Sequence, residues 1–138
     1  MRRATLWGPI LLGLAALMLA GADGRRAEAQ KKLTLVVFTK NVTNPFWKAV
    51  RVGADKAGKA LGVEIVHAAP TKPDNIEEQT RLVEDWIVKK PDAFVFVPVD
   101  YNALVPSIEK VNKAGIPVIN FNNRLAGGQW VTYLGSDD

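Results

Sequence analysis

The sequence predicts an α/β protein built on a doubly wound parallel sheet. Short runs of β-branched and apolar residues, such as residues 33–38, alternate with longer stretches whose apolar residues recur at helical spacing. Each short run has the length and composition of a strand buried on both faces. Strands and helices that alternate at short intervals are typical of right-handed βαβ units, and such units build a parallel sheet.

The N-terminal residues have the pattern of a secretory signal peptide. Two arginines at positions 2–3 precede an apolar run over residues 6–20, and residues 27–29 spell the cleavage signal A-E-A. We therefore assign residues 1–29 to a signal peptide and residues 30–138 to a single domain, which we expect in the periplasm. Two further arginines after the apolar run leave an uncleaved membrane anchor as the alternative.

Charge and cysteine content exclude some classes of function. The signal peptide holds four arginines and two acids, so its removal lowers the formal net charge from +4 to +2. That charge is too small to indicate a nucleic-acid partner. The chain has no cysteine, which excludes disulfides and a lipid anchor on an N-terminal cysteine.

The first helix has clear end signals. Asn44 is a good N-cap, Pro45 suits the first helical position, and Gly62 suits the position just after the last turn. Phe46 begins the apolar stripe of this helix, so its sequence position favours core packing. Trp47 lies off that stripe, which favours a role in a binding site or a partner surface.

The remaining elements continue the alternation. Asp74, followed three residues later by Glu77, resembles a capping box at the start of the second helix. Pro106 falls in the first turn of the third helix, where its missing N–H does no harm. The predicted strands are residues 33–38, 63–66, 93–97, 118–121 and 130–134, and the predicted helices begin near residues 44, 74 and 103. Their inward positions are predicted to be Ile76, Val83, Trp86 and Ile87 in the second helix and Leu104, Ile108 and Val111 in the third.

Polar and aromatic side chains collect in the loops that follow the predicted strands. Ligands of open parallel sheets bind outside the carboxyl ends of the strands, where these loops lie. Amides donate and accept hydrogen bonds, carboxylates accept them strongly, and aromatic faces cover the C–H surfaces of a sugar ring. The sequence therefore predicts a site for a hydroxyl-rich ligand. Its candidate residues are Asn44, Phe46, Trp47, Asp100, Asn122 and Asn123.

Several candidates also have a purely structural interpretation. Asn44 and Asp100 both suit helix caps, and for Asn44 capping and ligand binding can coexist. Asn122 and Asn123 suit a turn, because asparagine tolerates left-handed backbone geometry. His67, which we place in a loop after the second strand, has no predicted partner and indicates no catalytic role.

Other chemistries are not supported. Residues 53–60 nearly match a phosphate-binding P-loop, but Ala60 lacks the hydroxyl that would hold magnesium, and the segment falls inside a predicted helix. No G-x-G-x-x-G follows the first strand, and one histidine without cysteine does not make an ordinary zinc site. No nucleophile is paired with a base. The sequence predicts neither an enzyme nor a bound cofactor or metal.

Taken in order, five segments resemble a known family. Residues 37–50 (V-F-T-K-N-V-T-N-P-F-W-K-A-V) with 53–63, then 91–100, 114–122 and 134–138, resemble the periplasmic sugar-binding proteins of the ribose-binding type, which are type I periplasmic binding proteins. Such proteins close two α/β lobes around a sugar and deliver it to an ABC importer. The resemblance implies that residues 33–138 are the N-terminal lobe, with the second lobe missing.

The resemblance also implies roles and partners. Asn44 would bind ligand hydroxyls, and Phe46 and Trp47 would stack on the sugar ring. The family often has Asp-Arg after the fourth strand, whereas this chain has Asn122-Asn123, so the particular sugar is left open. The implied partners are a small-molecule sugar and the importer permease. Contact with a membrane would occur only through that permease or an uncleaved signal peptide.

Two other roles of the same fold are alternatives. An effector domain of a lactose-repressor relative would need an N-terminal helix-turn-helix, and this chain has signal-peptide features there. A periplasmic domain that presents a ligand to a chemoreceptor or sensor kinase fits the residues as well as an importer receptor does.

Overall fold

The structure, a computed structural model, describes residues 31–135. The predicted signal peptide, residues 1–29, lies outside the described residues. Within the described range strands and helices alternate as predicted. The strands are β1 (Thr34–Phe38), β2 (Glu64–Ala68), β3 (Ala93–Phe96), β4 (Val118–Phe121) and β5 (Thr132–Leu134), and the helices are α1 (Pro45–Leu61), α2 (Ile76–Lys89) and α3 (Val105–Lys113).

The strands of this region form one parallel sheet in the order β2-β1-β3-β4-β5. The predicted parallel sheet is therefore confirmed. The chain runs outward from β1 to β2 and then crosses back over β1 to β3, so the winding direction reverses between β1 and β3. The carboxyl ends of these two strands define the crevice in which ligands of such sheets bind.

The core lies between one face of the sheet and helices α2 and α3. Strand register places Phe38 and Asn120 on either side of Phe96, so the side chains of these three residues share one face. The rings of Phe38 and Phe96 pack with their centroids 5.2 Å apart. Burial of each large apolar side chain is worth about 1.5–3 kcal/mol. The buried apolar positions on the two helices are Val83 in α2 and Ile108 and Val111 in α3, with Leu104 just before α3.

Helix α1 covers the opposite face. Of its residues, Trp47 and Gly58 are buried. Between α1 and the sheet runs an open apolar groove of about 410 Å³, and Val37, Val95 and Leu61 are among the residues that line it. This face of the sheet is therefore less fully covered, within the described residues, than the face under α2 and α3.

The ends of α1 agree with the predicted signals. The Asn44 side chain accepts a hydrogen bond from the backbone N–H of Phe46 at 2.9 Å, and Pro45 is the first helical residue. Gly62 ends the helix in the left-handed conformation, with φ at 68°. The near-match to a P-loop, residues 53–60, lies inside this helix, which agrees with its exclusion from the sequence.

The start of α2 differs from the prediction. The N-cap is Asn75, whose side chain accepts from the backbone N–H of Glu78, whereas Asp74 lies in the left-handed region with φ at 54°. The capping box predicted from Asp74 was wrong by one residue. Of the residues predicted to face inward, Val83 is buried and Trp86 and Ile87 pack, partly buried, against the core, whereas Ile76 is 40% exposed. Gln79, which was not predicted, is also buried on this face.

The start of α3 also differs. Helix α3 begins at Val105 rather than near residue 103, because residues 101–104 form hydrogen-bonded turns first. Pro106 lies in the first turn, as predicted. Strand β5 begins two residues later than predicted, and β2 extends two residues further, to Ala68.

Candidate ligand-binding site

The loop after β1 is organised by a buried asparagine. The side-chain oxygen of Asn41 accepts hydrogen bonds from the backbone N–H groups of Thr43, at 3.2 Å, and Asn44, at 2.9 Å. Asn44 in turn caps α1 through its own side-chain oxygen. Its amide nitrogen makes no hydrogen bond with any of residues 31–135. Asn44 is therefore held in place with a donor group available for a ligand. Asn41 is not among the candidates selected from the sequence, although asparagine side chains commonly accept a hydrogen bond from the backbone two residues on.

The two aromatic residues of α1 are placed the opposite way from the prediction. Phe46, expected in the core, is 52% exposed, and Trp47, expected off the core, is only 5% exposed. Their rings meet edge-on at 4.7 Å, and Trp47 also packs against the ring of Phe121 at 6.3 Å.

The cause is the phase of the helix. The apolar residues of α1 fit two stripes at helical spacing, one beginning at Phe46 and one beginning at Trp47. Gly58 decides between them, because it packs so closely on β2 that an added Cβ would lie 2.4 Å from Ile65 Cγ1. Gly58 shares a face with Trp47, so Trp47 turns inward. Stacking of either ring on a ligand remains a prediction, and Phe46 is the more accessible of the two.

Asp100 lies in the loop after β3. Its Oδ1 accepts hydrogen bonds from the backbone N–H groups of Asn102, at 2.9 Å, and Ala103, at 2.7 Å. Asp100 therefore closes the turn before α3 and is not the N-cap, which is Leu104. Its second carboxylate oxygen accepts no hydrogen bond from residues 31–135, and the side chain is half-buried. One strong acceptor thus stays available at this loop.

The loop after β4 begins with the Asn-Asn pair. Asn122 adopts the left-handed conformation, with φ at 60°, which confirms its predicted turn geometry. Its carbonyl accepts a hydrogen bond from the hydroxyl of Tyr133 at 2.6 Å. Neither side-chain amide of Asn122 and Asn123 makes a hydrogen bond within the described range. Arg124, the following residue, lies over the ring of Tyr133 with its guanidinium carbon 4.5 Å from the centroid.

Direct contacts join these three loops. Lys40 Nζ donates to the carbonyl of Val99 at 3.4 Å, which links the β1 loop to the β3 loop. The N–H of Ala126 donates to the carbonyl of Tyr101 at 3.0 Å, which links the β4 loop to the β3 loop. The candidate residues therefore lie on three connected loops at one edge of the sheet.

The loop after β2 contributes less than the sequence suggested. His67 lies inside β2, not in the loop, and its Nε2 is 2.6 Å from Oδ1 of Asp55 on α1. It therefore ties α1 to β2 and is not part of the crevice. Further along this loop, a hydrogen bond from the backbone of Thr71 lowers the pKa of the Glu78 carboxyl.

Within the described residues the chain has neither a cluster of metal ligands nor a membrane-spanning helix. No group of three or more histidine, cysteine, aspartate or glutamate side chains in residues 31–135 could hold a metal ion. None of the helices described here is both long and apolar enough to span a membrane. What the crevice does contain is amide and carboxylate groups beside an exposed phenyl ring.

Residues 35–138 match the periplasmic binding protein domain. The chain is 35% identical, over 101 residues, to the D-ribose/D-allose-binding protein of Pseudomonas aeruginosa, covering 72% of this chain and 32% of that protein. It is 28% identical, over 125 residues, to the ribose import binding protein of Escherichia coli, covering 91% of this chain and 41% of that protein. The chain thus spans about a third to two fifths of the length of these curated relatives.

Solved structures of solute-binding proteins also superpose on this chain. A periplasmic solute-binding protein of an ABC transporter from Actinobacillus succinogenes with bound D-allose superposes with a TM-score of 0.66 at 32% identity, over 70% of this chain and 34% of that one. A carbohydrate transporter solute-binding protein from Agrobacterium radiobacter with D-arabinose superposes with a TM-score of 0.74 at 26% identity, over 78% of this chain and 36% of that one. The named relatives are binding proteins, not enzymes.

Proposed function

The chain belongs to the periplasmic binding protein domain family, and on that premise we propose that it binds a sugar in the periplasm for an ABC importer. Its partners are then a small-molecule sugar and the importer permease. In this proposal residues 1–29 direct export, and residues 30–138 form the N-terminal lobe of the sugar-binding domain.

One observation carries the proposal. Hydrogen-bonding groups without a partner among residues 31–135 lie on three connected loops at the carboxyl edge of the sheet. They are the amide nitrogen of Asn44, the second carboxylate oxygen of Asp100, and the side-chain amides of Asn122 and Asn123. Several unpaired donors and acceptors at one edge of the sheet suit a ligand that carries several hydroxyl groups.

The backbone around each of these groups is held by the protein, which lowers the cost of binding. Asn41 orders the residues before Asn44, and the turn at Asp100 is closed by two hydrogen bonds. A ligand therefore has little loop ordering to overcome. Each hydrogen bond to the sugar contributes about 0.5–1.5 kcal/mol net. Phe46, half-exposed beside Asn44, supplies an apolar face for the C–H side of the ring.

The experiment is calorimetry of the full-length protein against a panel of pentoses and hexoses, with amino acids as non-sugar controls. We expect one or a few sugars to bind and the amino acids to give no heat. An Asn122→Ala, Asn123→Ala double variant should lose most of the affinity, because two amides disappear from the crevice. As a matched control, Asn112→Ala removes an asparagine near the end of α3, away from the three loops, whose side chain bonds only Gln129. Its affinity should be unchanged. Absence of binding to every sugar by the folded wild type would overturn the proposal.

A further inference from the structure

Strand β4 carries a polar residue inside the apolar core. Asn120 is 0% exposed and lies beside Phe96 on the face that packs under α2 and α3. Burial of an amide there is costly unless its donors and acceptor are all hydrogen-bonded. The strand does not need this side chain for pairing, since its backbone already pairs with β3 and β5.

Every polar group of this amide is used, and its partners identify what it does. The Asn120 Nδ2 group donates to the carbonyl of Phe96 at 3.1 Å and to the carbonyl of Asn123 at 2.9 Å. Its Oδ1 accepts from the backbone N–H of Leu125 at 3.0 Å. One side chain therefore fixes the loop after β4 at two residues and ties it to the last residue of β3.

A second buried amide meets the same end of β3. Gln79 of α2, also 0% exposed, donates to the carbonyl of Val97 at 3.0 Å and accepts from the N–H of Val99 at 2.8 Å. Phe96 and Val97 are consecutive, so the two amides hold neighbouring carbonyls. The loop that leads to Asp100 is thereby held from the other side.

We propose that Asn120 is a positioning residue for ligand binding. By holding the backbone of Asn123 against the end of β3, it sets the direction of the Asn122 and Asn123 side chains relative to Asp100. This inference rests on the proposed function, because the ligand is the sugar assigned above. Asn120 does not itself reach the crevice: it acts through the residues that do, and pre-organisation of this kind raises affinity without a new contact.

The test is Asn120→Val. Valine is apolar, similar in size to asparagine and well suited to a strand, and the substitution removes all three hydrogen bonds. The control is Asn112→Ala. Asn112 also makes two hydrogen bonds to the connection between β4 and β5, at 2.9 and 2.8 Å, but both go to Gln129, near the far end of that connection from the Asn-Asn pair. In calorimetry with the tightest-binding sugar we expect Asn120→Val to weaken affinity about tenfold and Asn112→Ala to leave it within about twofold.

Amide hydrogen exchange supplies a readout that does not depend on sugar. In Asn120→Val the N–H of Leu125 should lose protection, while the N–H groups of α3 keep theirs. Equal loss of affinity in both variants, or unchanged affinity in a folded Asn120→Val protein, would overturn the inference. If Asn120→Val does not fold, Asn120→Ser, with one hydroxyl left to bond, replaces it under the same criteria.

The experiments distinguish failure of the proposed function from failure of the positioning role. If the wild type binds no sugar, the proposed function fails and the ligand-positioning role fails with it. Exchange at Leu125 then decides only whether Asn120 orders the loop. If the wild type binds sugar and Asn120→Val binds it equally well, only the positioning role is lost.

Discussion

The ring of Trp47 meets the ring of Phe121 edge-on, with 6.3 Å between their centroids. This contact joins the first turn of α1 to the last residue of β4, and so connects the loop that carries Asn44 with the loop that carries Asn122. Because Trp47 is buried and its neighbour Phe46 is exposed, the two adjacent aromatics should respond differently to the same substitution.

For Trp47→Ala we expect a stability defect. Removal of a buried indole leaves a cavity beside Phe121, and truncation of a large buried aromatic typically costs about 3–5 kcal/mol. Chemical denaturation of the full-length protein measures this. A loss below about 1 kcal/mol would contradict the burial of Trp47.

Phe46→Ala should have the reverse signature. The side chain is half-exposed, so the melting temperature should hardly change, whereas sugar affinity should fall about fivefold through loss of the apolar face. Calorimetry and thermal unfolding on the same preparation separate the two effects. Unchanged affinity would exclude Phe46 from the sugar-binding surface.

Two glycines of α1 form a matched pair. In Gly58→Ala the new Cβ meets Ile65 Cγ1 at 2.4 Å and the carbonyl of Val63 at 2.9 Å, so α1 must move away from β2. We expect a loss of about 1–3 kcal/mol. At Gly53 nothing lies within 4 Å of an added Cβ, so Gly53→Ala should stabilise the protein by about 0.5–1 kcal/mol. Denaturant titrations of both variants test the pair, and equal effects would show that the close approach at Gly58 is wrong.

Two helix caps form a second pair. Asn44→Ala and Asn75→Ala each remove a side-chain oxygen that accepts from a backbone N–H at the start of a helix. Each should cost about 0.5–2 kcal/mol of stability. Only Asn44→Ala should also weaken sugar binding, because only Asn44 lies at the crevice. Equal sugar affinity in the two variants would show that Asn44 acts only as a helix cap.

Export should remove the leader. Expressed in a Gram-negative host, the protein should be recovered from the periplasm with an N-terminus near Gln30. Intact-mass measurement of the periplasmic fraction checks this. Protein that keeps its leader and is held in the inner membrane would instead support the uncleaved anchor.

Local signals were sufficient for much of the fold. Strand β4 has the predicted bounds because Pro117 and a turn-forming asparagine flank a short apolar run. The start of α1 was equally clear, since Asn44 is a strong N-cap signal and Pro45 suits the first helical position. The phase of its buried stripe was not, because Phe46 and Trp47 fit helical spacing equally well and the contact of Gly58 with β2 decides between them.

The supporting residues of the site were harder to find. Asn120 lies in an apolar strand and Gln79 in a polar helix, and neither has a distinctive local pattern. Asn120 bonds the carbonyl of Phe96, 24 residues away, and Gln79 bonds the carbonyl of Val97, 18 residues away, so only the assembled sheet makes these two bonds possible. The loops themselves could be predicted, because the rule for carboxyl ends of parallel strands needs only the strand order along the chain.

The position of β1 between β2 and β3 also constrains how the chain folds. The N–H of Thr34 donates to the carboxylate of Asp92, 58 residues later, and the whole β3 side of β1 stays unpaired until those residues exist. At common synthesis rates of about 5–20 residues per second, that wait is roughly 3–12 s. A nascent chain that stops before Phe96 would present an open strand edge, the kind of surface that seeds aggregation. The pairing of β1 with β3 therefore comes after its pairing with β2 becomes possible, and a chaperone that covers residues 34–38 during that interval would protect the unpaired edge of β1.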